Sequence, residues 1–233
     1  TFYTLNRAYF VVAVLYALIY PLIDFKKWFS HDADLSIPIL WDYVSIQAVE
    51  DIGKSYSLYD LLLIGIGIGF VIFVFKLAIQ LLSLVRIHLN SNEAKWHTYL
   101  FRDVIFPVVP FSFFNKIYLH KAQHQEVELY DILKHETIHV KGRHTWDVLL
   151  FEMLLIGCWY NPFVWLMRKA VRQNLEFLTD QQVLNKGVDR QTYQYSLLNV
   201  TQQGAAVGIS NQFNFKTLKK RIMMMNKKRS SRL

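Results

Sequence analysis

Residues 135–139 form an H-E-x-x-H motif, in which His135 and His139 lie four residues apart and Glu136 follows the first histidine. Apolar residues recur at helical spacing around the motif, from residue 130 to residue 141, and side chains four apart in a helix lie on the same face. The two imidazoles can therefore bind one zinc ion. Glu136 then lies beside the metal, where it can take a proton from a zinc-bound water and deliver it to a leaving amine. The motif indicates peptide-bond hydrolysis, although three fixed positions in five also arise by chance.

A catalytic zinc site needs a third protein ligand and an open position for water. Glu176 lies in a predicted amphipathic helix between residues 168 and 186, and Asp180 follows four residues later on the same face. Glu176 as the third ligand and Asp180 as the acceptor for a histidine N–H make a chemically complete set. Two acids that simply face water are the other interpretation, and the spacing alone does not exclude it.

Other side chains near the motif are candidates for stabilising an oxyanion, namely His144, Tyr160 and Tyr193. A histidine that only fills space in a packed core explains His144 equally well, and the sequence does not select among the three residues. His120 and His124 are also four residues apart, but no glutamate follows His120. They are therefore predicted to be surface histidines rather than a second metal site.

The composition predicts membrane segments, because 53% of the 233 residues are hydrophobic and 15% are aromatic, more than an ordinary soluble protein contains. Residues 1–25 include an uncharged run, and residues 61–86 include a long apolar run with Lys76 as its one charge before Arg86. Both segments are predicted transmembrane helices, with a core helix as the alternative for the first. Within the second, Gly65 and Gly69 are four residues apart and would let another helix approach closely.

The distribution of charge indicates which side of the membrane each segment faces. The region after residue 86 carries many basic residues, which favours the cytoplasmic side, so the polar segment 26–60 is predicted to be an extracytoplasmic loop. Eight of the 26 basic residues lie in residues 216–233, a stretch without acids, so the other 18 balance the 18 acidic residues. This excess predicts a basic juxtamembrane tail rather than a nucleic-acid-binding protein.

The pattern on either side of the motif predicts the elements that position it. Two short apolar runs, residues 111–114 and 117–119, flank Asn115 and Lys116 and predict a β-hairpin. The edge of such a hairpin suits a protease, because a substrate held as an added strand exposes its scissile carbonyl. Residues 146–168 are apolar and predict two membrane-associated helices, interrupted near Pro162.

Several separated motifs together resemble one family. The run HETIHVKGRHTWDVLLFEMLLIGCWYNPFVWLMRKAVRQNLEFLTDQQVL, the upstream residues 110–114 and the later residues 218–224 are similar in order and content to the BlaR/MecR-type membrane metallopeptidases, particularly their Bacteroidetes-like versions. A more distant similarity connects the E-x-x-x-D helix with the HtpX and CAAX-processing membrane proteases. The resemblance covers most of the chain.

This resemblance implies a membrane-embedded gluzincin in which His135, His139 and Glu176 bind zinc, Glu136 is the general base and Asp180 supports the site. In the family the protease faces the cytoplasm between transmembrane helices, and some members sense β-lactams through a C-terminal domain. The sequence contains no S-x-x-K acylation motif, so antibiotic sensing is not expected here.

We therefore expect a mainly α membrane protein of the bacterial inner membrane, with transmembrane helices and a cytoplasmic gluzincin-type zinc protease domain, residues 87–215, that includes a small β-hairpin or sheet. Its expected activity is hydrolysis of a peptide bond in a protein substrate, either itself or a cytoplasmic regulator, in signal transduction and with one zinc ion per chain. The expected partners are that substrate and the lipid bilayer; a homodimer stays open, and no nucleic acid is expected. The alternative is a catalytically silent membrane signalling or scaffold protein that retains the zinc fold.

Overall fold

The computed structural model describes residues 2–20, 57–204 and 211–227. These residues form a mostly helical protein with a small mixed sheet, and the loop predicted for residues 26–60 lies outside them up to residue 56. In chain order the elements are α1 (Phe2–Ile19), α2 (Leu58–Leu89), β1 (Ser91–Trp96), β2 (Tyr99–Val104), β3 (Phe111–Phe113), β4 (Lys116–Leu119), a 3₁₀ turn (Lys121–Gln123), α3 (Glu126–Lys141), α4 (His144–Gly157), α5 (Pro162–Asn185), α6 (Arg190–Gly204) and α7 (Asn211–Asn226).

Helices α1 and α2 are the two apolar segments that the sequence predicts. Both are long and apolar enough to cross a membrane by length and composition, with mean hydropathies of 1.5 and 2.6. A capping box begins α2, because the Ser57 hydroxyl accepts from the amide of Tyr59 and the Asp60 carboxylate accepts from the amide of Ser57. Side chains along both helices are largely exposed.

The sheet has the strand order β1-β2-β4-β3. Its outer pairs β1/β2 and β3/β4 are antiparallel, whereas the central pair β2/β4 is parallel. The predicted hairpin at residues 111–119 is confirmed as β3 and β4, which turn at Phe114 with a φ of 49°. Strands β1 and β2 were not predicted, because β1 has the polar sequence SNEAKW and lacks the alternating apolar pattern of a half-buried strand.

The helices that follow the sheet build the interior of the domain. Helix α3 covers the sheet through a cluster that includes Phe101, Leu119, Leu129 and Leu133. Helices α4 and α5 form an antiparallel hairpin, hereafter the α4–α5 hairpin, with Asn161 capping α5 and Pro162 at its first position. The helix break predicted near Pro162 is thus observed, but the second helix continues to Asn185 as one element because no breaker interrupts it.

Helices α1, α2 and α7 pack against the α4–α5 hairpin. Helix α1 packs on the α4–α5 hairpin through a cluster of Val14, Phe151, Val171 and Leu175, whereas α2 contacts its α4 side. Helix α7 packs against α5 and α6, and its Leu218 and Met225 are buried. The segment from residue 216 to residue 226, expected to be a basic tail, is therefore part of the folded domain.

Candidate metal centre

Helix α3 positions the H-E-x-x-H motif in the interior. One side of the helix is anchored on the sheet by Leu129 and Leu133. The two histidines of the motif face helix α5. His135 is 7% exposed and Glu136 is 8% exposed. The Nε2 atoms of His135 and His139 lie 3.1 Å apart, which places two nitrogen donors side by side.

Helix α5 brings Glu176 to the same point. Its carboxylate oxygens lie 3.6 Å from Nε2 of His135 and 3.7 Å from Nε2 of His139, and one donor atom from each of the three residues lies within 4.8 Å of the others. Donors at zinc-ligand distance around a tetrahedral ion are about 3.4 Å from one another. Two imidazole nitrogens and a carboxylate at these separations fit a zinc ion.

A chain of hydrogen bonds orients His135 through Nδ1, the ring nitrogen that does not face Glu176. Nδ1 of His135 lies 2.7 Å from the hydroxyl of Tyr193, which donates to Oδ1 of Asp180 at 2.7 Å. The direct separation from His135 Nδ1 to Asp180 is 3.6 Å, too long for a good hydrogen bond. Asp180 therefore reaches the histidine through Tyr193. A hydroxyl that accepts from Nδ1–H leaves the Nε2 lone pair of His135 free for a metal.

Nδ1 of His139 has a different partner. Nδ1 of His144 lies 2.8 Å from Nδ1 of His139, on the opposite side of the His139 ring from the Nε2 that faces Glu176. Burial lowers the pKa of His139 to about 3 and the pKa of His144 to about 4. Both rings are therefore neutral at pH 7, the form in which imidazole binds metals. The position of His144 suits orientation of His139 rather than contact with an oxyanion.

Arg221, which lies within the stretch expected to be a basic tail, belongs to this centre. Its guanidinium donates to both oxygens of Asp180 at 2.8 and 2.6 Å and forms an ion pair with Glu176 at 2.9 Å. Burial alone raises the pKa of Glu176, but the charge of Arg221 and the contacts with His135 and His139 hold it well below the usual range. One cation thus bridges two neighbouring carboxylates.

Glu136 lies beside the three donors but has a different environment. Burial raises the pKa of its carboxyl group, opposed by His135 and by a hydrogen bond from the Ser112 hydroxyl. Ser112 is in β3, which is an edge strand of the described sheet. The candidate base is therefore a buried carboxylate next to a strand that can pair with an extended peptide.

The other sequence candidates lie apart from the donors. Tyr160 is 57% exposed near the turn of the α4–α5 hairpin. His120 lies with Nδ1 2.7 Å from the carbonyl oxygen of Val104. The prediction of a surface residue is wrong for His124, whose side chain is 1% exposed and faces Glu128 at 3.6 Å. Neither histidine belongs to the group of His135, His139 and Glu176.

Sequence reasoning missed the parts of the centre that come from distant segments. Arg221 was hidden among eight basic residues of one stretch, and Tyr193 was one of several oxyanion candidates. One signal was available for Arg221: it has apolar residues three before and one after it, Leu218 and Ile222, so it could lie on the edge of a buried helix face. The opposite charge that binds it is 41 residues away.

Two histidines and a carboxylate that converge beside a buried glutamate define a candidate metal-dependent hydrolase site. Residues 98–225 match the family model described as BlaR1 peptidase M56. The match covers more than half of the chain, so the chain belongs to this family of metallopeptidases, and the predicted resemblance is confirmed. No curated protein matches the chain.

Proposed function

We propose that this protein is a membrane-embedded, zinc-dependent endopeptidase that hydrolyses a peptide bond in a protein substrate. The observation that carries the proposal is the convergence of His135 Nε2, His139 Nε2 and a Glu176 oxygen next to Glu136. The family match, which includes all four residues, supports peptidase chemistry at this point.

The metal and the protein have separate tasks in this proposal. His135, His139 and Glu176 hold zinc, which when bound supplies Lewis acidity towards water and a substrate carbonyl. Glu136 takes a proton from the attacking water and returns it to the leaving amine. Burial raises the pKa of Glu136, which makes its carboxylate a stronger base than a solvated glutamate and favours this proton transfer.

The substrate in this proposal binds as an extended strand along β3. Strand β3 pairs with β4 on one side only among the described strands, and Ser112 connects it to Glu136. An added strand would receive backbone hydrogen bonds from β3 and lie next to the base. The ring of Phe114, which follows β3, packs edge to face on Trp146 at 5.3 Å, and these two rings offer an apolar contact for a substrate side chain.

The membrane location in this proposal rests on α1 and α2, which have the length and composition of membrane spans. Their apolar side chains are mostly exposed, as expected for helices whose solvent is lipid. The excess of basic residues after α2 favours a catalytic domain in the cytoplasm. A substrate that is a cytoplasmic regulator or the protein itself, and a role in signal transduction, fit that orientation.

The test is metal content and cleavage in the detergent-purified protein. We expect about one zinc per chain in the wild type and a loss of zinc in Glu176→Ala and in the double variant His135→Ala, His139→Ala. Glu136→Gln should retain zinc but cleave a fluorogenic peptide library about 10²- to 10⁴-fold more slowly, because it removes a general base. Glu126→Gln, an exposed change in the same helix, is the matched control and should cleave normally.

Two outcomes would contradict the proposed function. Wild-type cleavage by Glu136→Gln would exclude this residue as the base. A well-folded wild type that binds zinc but cleaves neither the peptides nor itself, under conditions where Glu136→Gln behaves identically, would favour a silent scaffold.

A further inference from the structure

The turn of the α4–α5 hairpin contacts the middle of α2. Nε1 of Trp159 donates to the carbonyl oxygen of Ile66 at 3.1 Å, and the Trp159 ring fills the space beside Gly69. Phe73 packs against Trp159 and Trp165, with ring centroids 6.0 and 5.6 Å away. The turn is therefore held beside residues 66–73 of α2.

Phe73, which the turn contacts, lies within every membrane span that α2 can form. A helix needs about 20 residues to cross a bilayer, and α2 has 32 residues, from Leu58 to Leu89. A 20-residue segment within α2 begins between residues 58 and 70, so it always includes residues 70–77. Phe73 is in every such segment. If α2 crosses the bilayer, the two indole rings that pack on Phe73 are at bilayer depth as well.

The backbone of the turn is suited to a site without water. Non-helical backbone inside a bilayer must satisfy its own polar groups. In the turn, the amide of Cys158 donates to Leu154 O at 2.9 Å and the amide of Asn161 donates to Cys158 O at 3.0 Å. The Asn161 side chain caps the amide of Phe163 at 2.9 Å, and Nε1 of Trp165 donates to Trp159 O at 2.8 Å.

The exposed side chains around the turn are apolar or aromatic. Met153 is 57% exposed, Tyr160 57%, Phe163 70% and Leu166 62%. They continue the apolar surface of α2, where Ile68 and Ile72 are 57% and 58% exposed. A soluble domain rarely leaves such a continuous apolar surface open to water.

Three charged side chains of the hairpin, Glu152, Arg168 and Arg172, are paired with one another. Glu152 is 12% exposed in its side chain and forms ion pairs with Arg168 at 2.6 Å and Arg172 at 2.5 Å. Arg168 and Glu152 also line a cleft between α2, α4 and α5, together with Lys76. Ionisable groups at membrane depth are expected to face a protein interior and to pair in this way.

We propose that residues 153–166, the end of the α4–α5 hairpin, enter the bilayer beside α2 as a re-entrant element, with Met153, Phe163 and Leu166 in contact with lipid acyl chains. This inference rests on the membrane location given under the proposed function. Glu176 lies 14 residues after Pro162 in α5, about 21 Å along the helix. Insertion of the hairpin therefore holds the catalytic centre at a fixed height above the lipid, within reach of peptide bonds close to the membrane surface.

The experiment measures the depth of single labelled cysteines in proteoliposomes of phosphatidylcholine and phosphatidylglycerol. Cys158→Ser removes the one native thiol, and Phe163→Cys, Ile68→Cys and Lys95→Cys are then made separately and labelled with an environment-sensitive fluorophore. Phe163 reports on the hairpin, Ile68 on α2 and the exposed Lys95 on the sheet. Quenching is measured with doxyl-labelled phospholipids and with aqueous iodide.

We expect the labels at residues 163 and 68 to show blue-shifted emission, quenching by doxyl lipids and loss of iodide quenching relative to residue 95. A label at residue 163 that behaves like residue 95, while residue 68 stays in lipid, would overturn the hairpin insertion and leave the membrane location intact. A label at residue 68 that is quenched by iodide would overturn both. If Phe163→Cys does not fold, Tyr160→Cys provides the same measurement.

Discussion

At the scale of single residues, the candidate metal centre depends on the hydrogen bonds and ion pairs that orient its two histidines and its carboxylate. A metal takes Nε2 from each histidine only if the proton is on Nδ1, and Tyr193 and His144 are the partners of those two Nδ1 atoms. Arg221 fixes the carboxylate side of the centre. The three supporting residues come from α4, α6 and α7, so each can be altered without changing a candidate ligand.

Replacing Tyr193 with Phe should weaken zinc binding without unfolding the domain. The ring would still fill the buried site, but Nδ1 of His135 would lose its acceptor and Asp180 would lose a donor. Loss of such an outer hydrogen bond typically lowers metal affinity about 10- to 100-fold. Competition with a fluorescent zinc chelator measures this affinity. The control is Tyr195→Phe, at a residue 69% exposed; equal affinity in both variants would contradict the role of Tyr193.

Replacing Arg221 with Met should destabilise the metal-free protein at pH 7 by about 3 kcal/mol, because it leaves the buried Asp180 carboxylate without its cation. The Asp180 side chain is 2% exposed and that of Arg221 is 13% exposed. Urea unfolding in mild detergent and chelator gives the free energy of unfolding. Lys220→Met, at an exposed residue of the same helix, is the control. A difference below about 0.5 kcal/mol, the usual range for surface changes, would contradict the prediction.

The same pair of proteins should differ in pH dependence. Arg221 and the histidines hold the pKa of Glu176 well below its usual value of 4.5 in the wild type. The stability that these contacts contribute is therefore fully present above pH 4.5, and it is lost as the pH falls through the lowered pKa. In Arg221→Met, burial favours the protonated form of Glu176. A fall in pH therefore removes the unpaired charge and reduces the destabilisation of the variant. The stability difference between wild type and variant should therefore be largest near neutral pH and shrink towards pH 4. A difference that grows on acidification would have the wrong sign.

At the scale of elements, the contact between α2 and the α4–α5 hairpin provides a matched pair of glycine changes. A Cβ at Gly69 would lie within 3 Å of the Trp159 indole, whereas a Cβ at Gly67 would have nothing within 4 Å. Gly69→Leu should lower the free energy of unfolding by about 1–3 kcal/mol through overpacking. Gly67→Leu gains the same helix propensity and should be neutral or stabilising. Thermal unfolding by tryptophan fluorescence distinguishes them, and equal melting temperatures would exclude a tight contact at Gly69.

A second contact between elements connects α1 to the end of the zinc-motif helix. Arg7 pairs with Asp147 at 2.8 Å and donates to the carbonyl oxygen of Gly142 at 2.8 Å. Gly142 packs against the ring of His144, which in turn contacts His139. Helix α1, which has the composition of a membrane span, is therefore connected to the candidate metal centre through a short series of contacts.

At the scale of the whole molecule, a bound zinc ion would join α3 to α5 and should stabilise the fold as a ligand. Binding to the native state alone adds RT ln(1 + [L]/Kd), about 4 kcal/mol at a thousandfold excess over the dissociation constant. We expect EDTA to lower the melting temperature of the wild type in detergent and added zinc to restore it. The double variant His135→Ala, His139→Ala should melt at one temperature with or without zinc. A wild-type melting curve unaffected by either reagent would contradict the centre.

The sequence by itself determined the features that depend on neighbouring residues. The helical H-E-x-x-H motif, the two long apolar helices, the β3–β4 hairpin and the break at Pro162 all follow from spacing over a few residues, because helix and strand periods and proline geometry act locally. The resemblance of several ordered motifs indicated the family, which residues 98–225 confirm. The spacing made Glu176 a candidate ligand and left a solvent-facing acid open, whereas the family resemblance implied that it binds zinc. Its assignment stays a prediction that the three-donor geometry supports.

Only the tertiary structure decided which distant side chains complete the centre and which surfaces meet. Tyr193 is 58 residues from His135 and Arg221 is 41 residues from Asp180, and spacing along the chain cannot show that such segments converge. Gly65 and Gly69 are alike in the sequence, but only Gly69 lies against an indole ring. Burial and ion pairing are properties of packed neighbours in space. One arginine of a basic stretch therefore belongs to the candidate metal centre, whereas nearby lysines of the same helix are exposed to solvent.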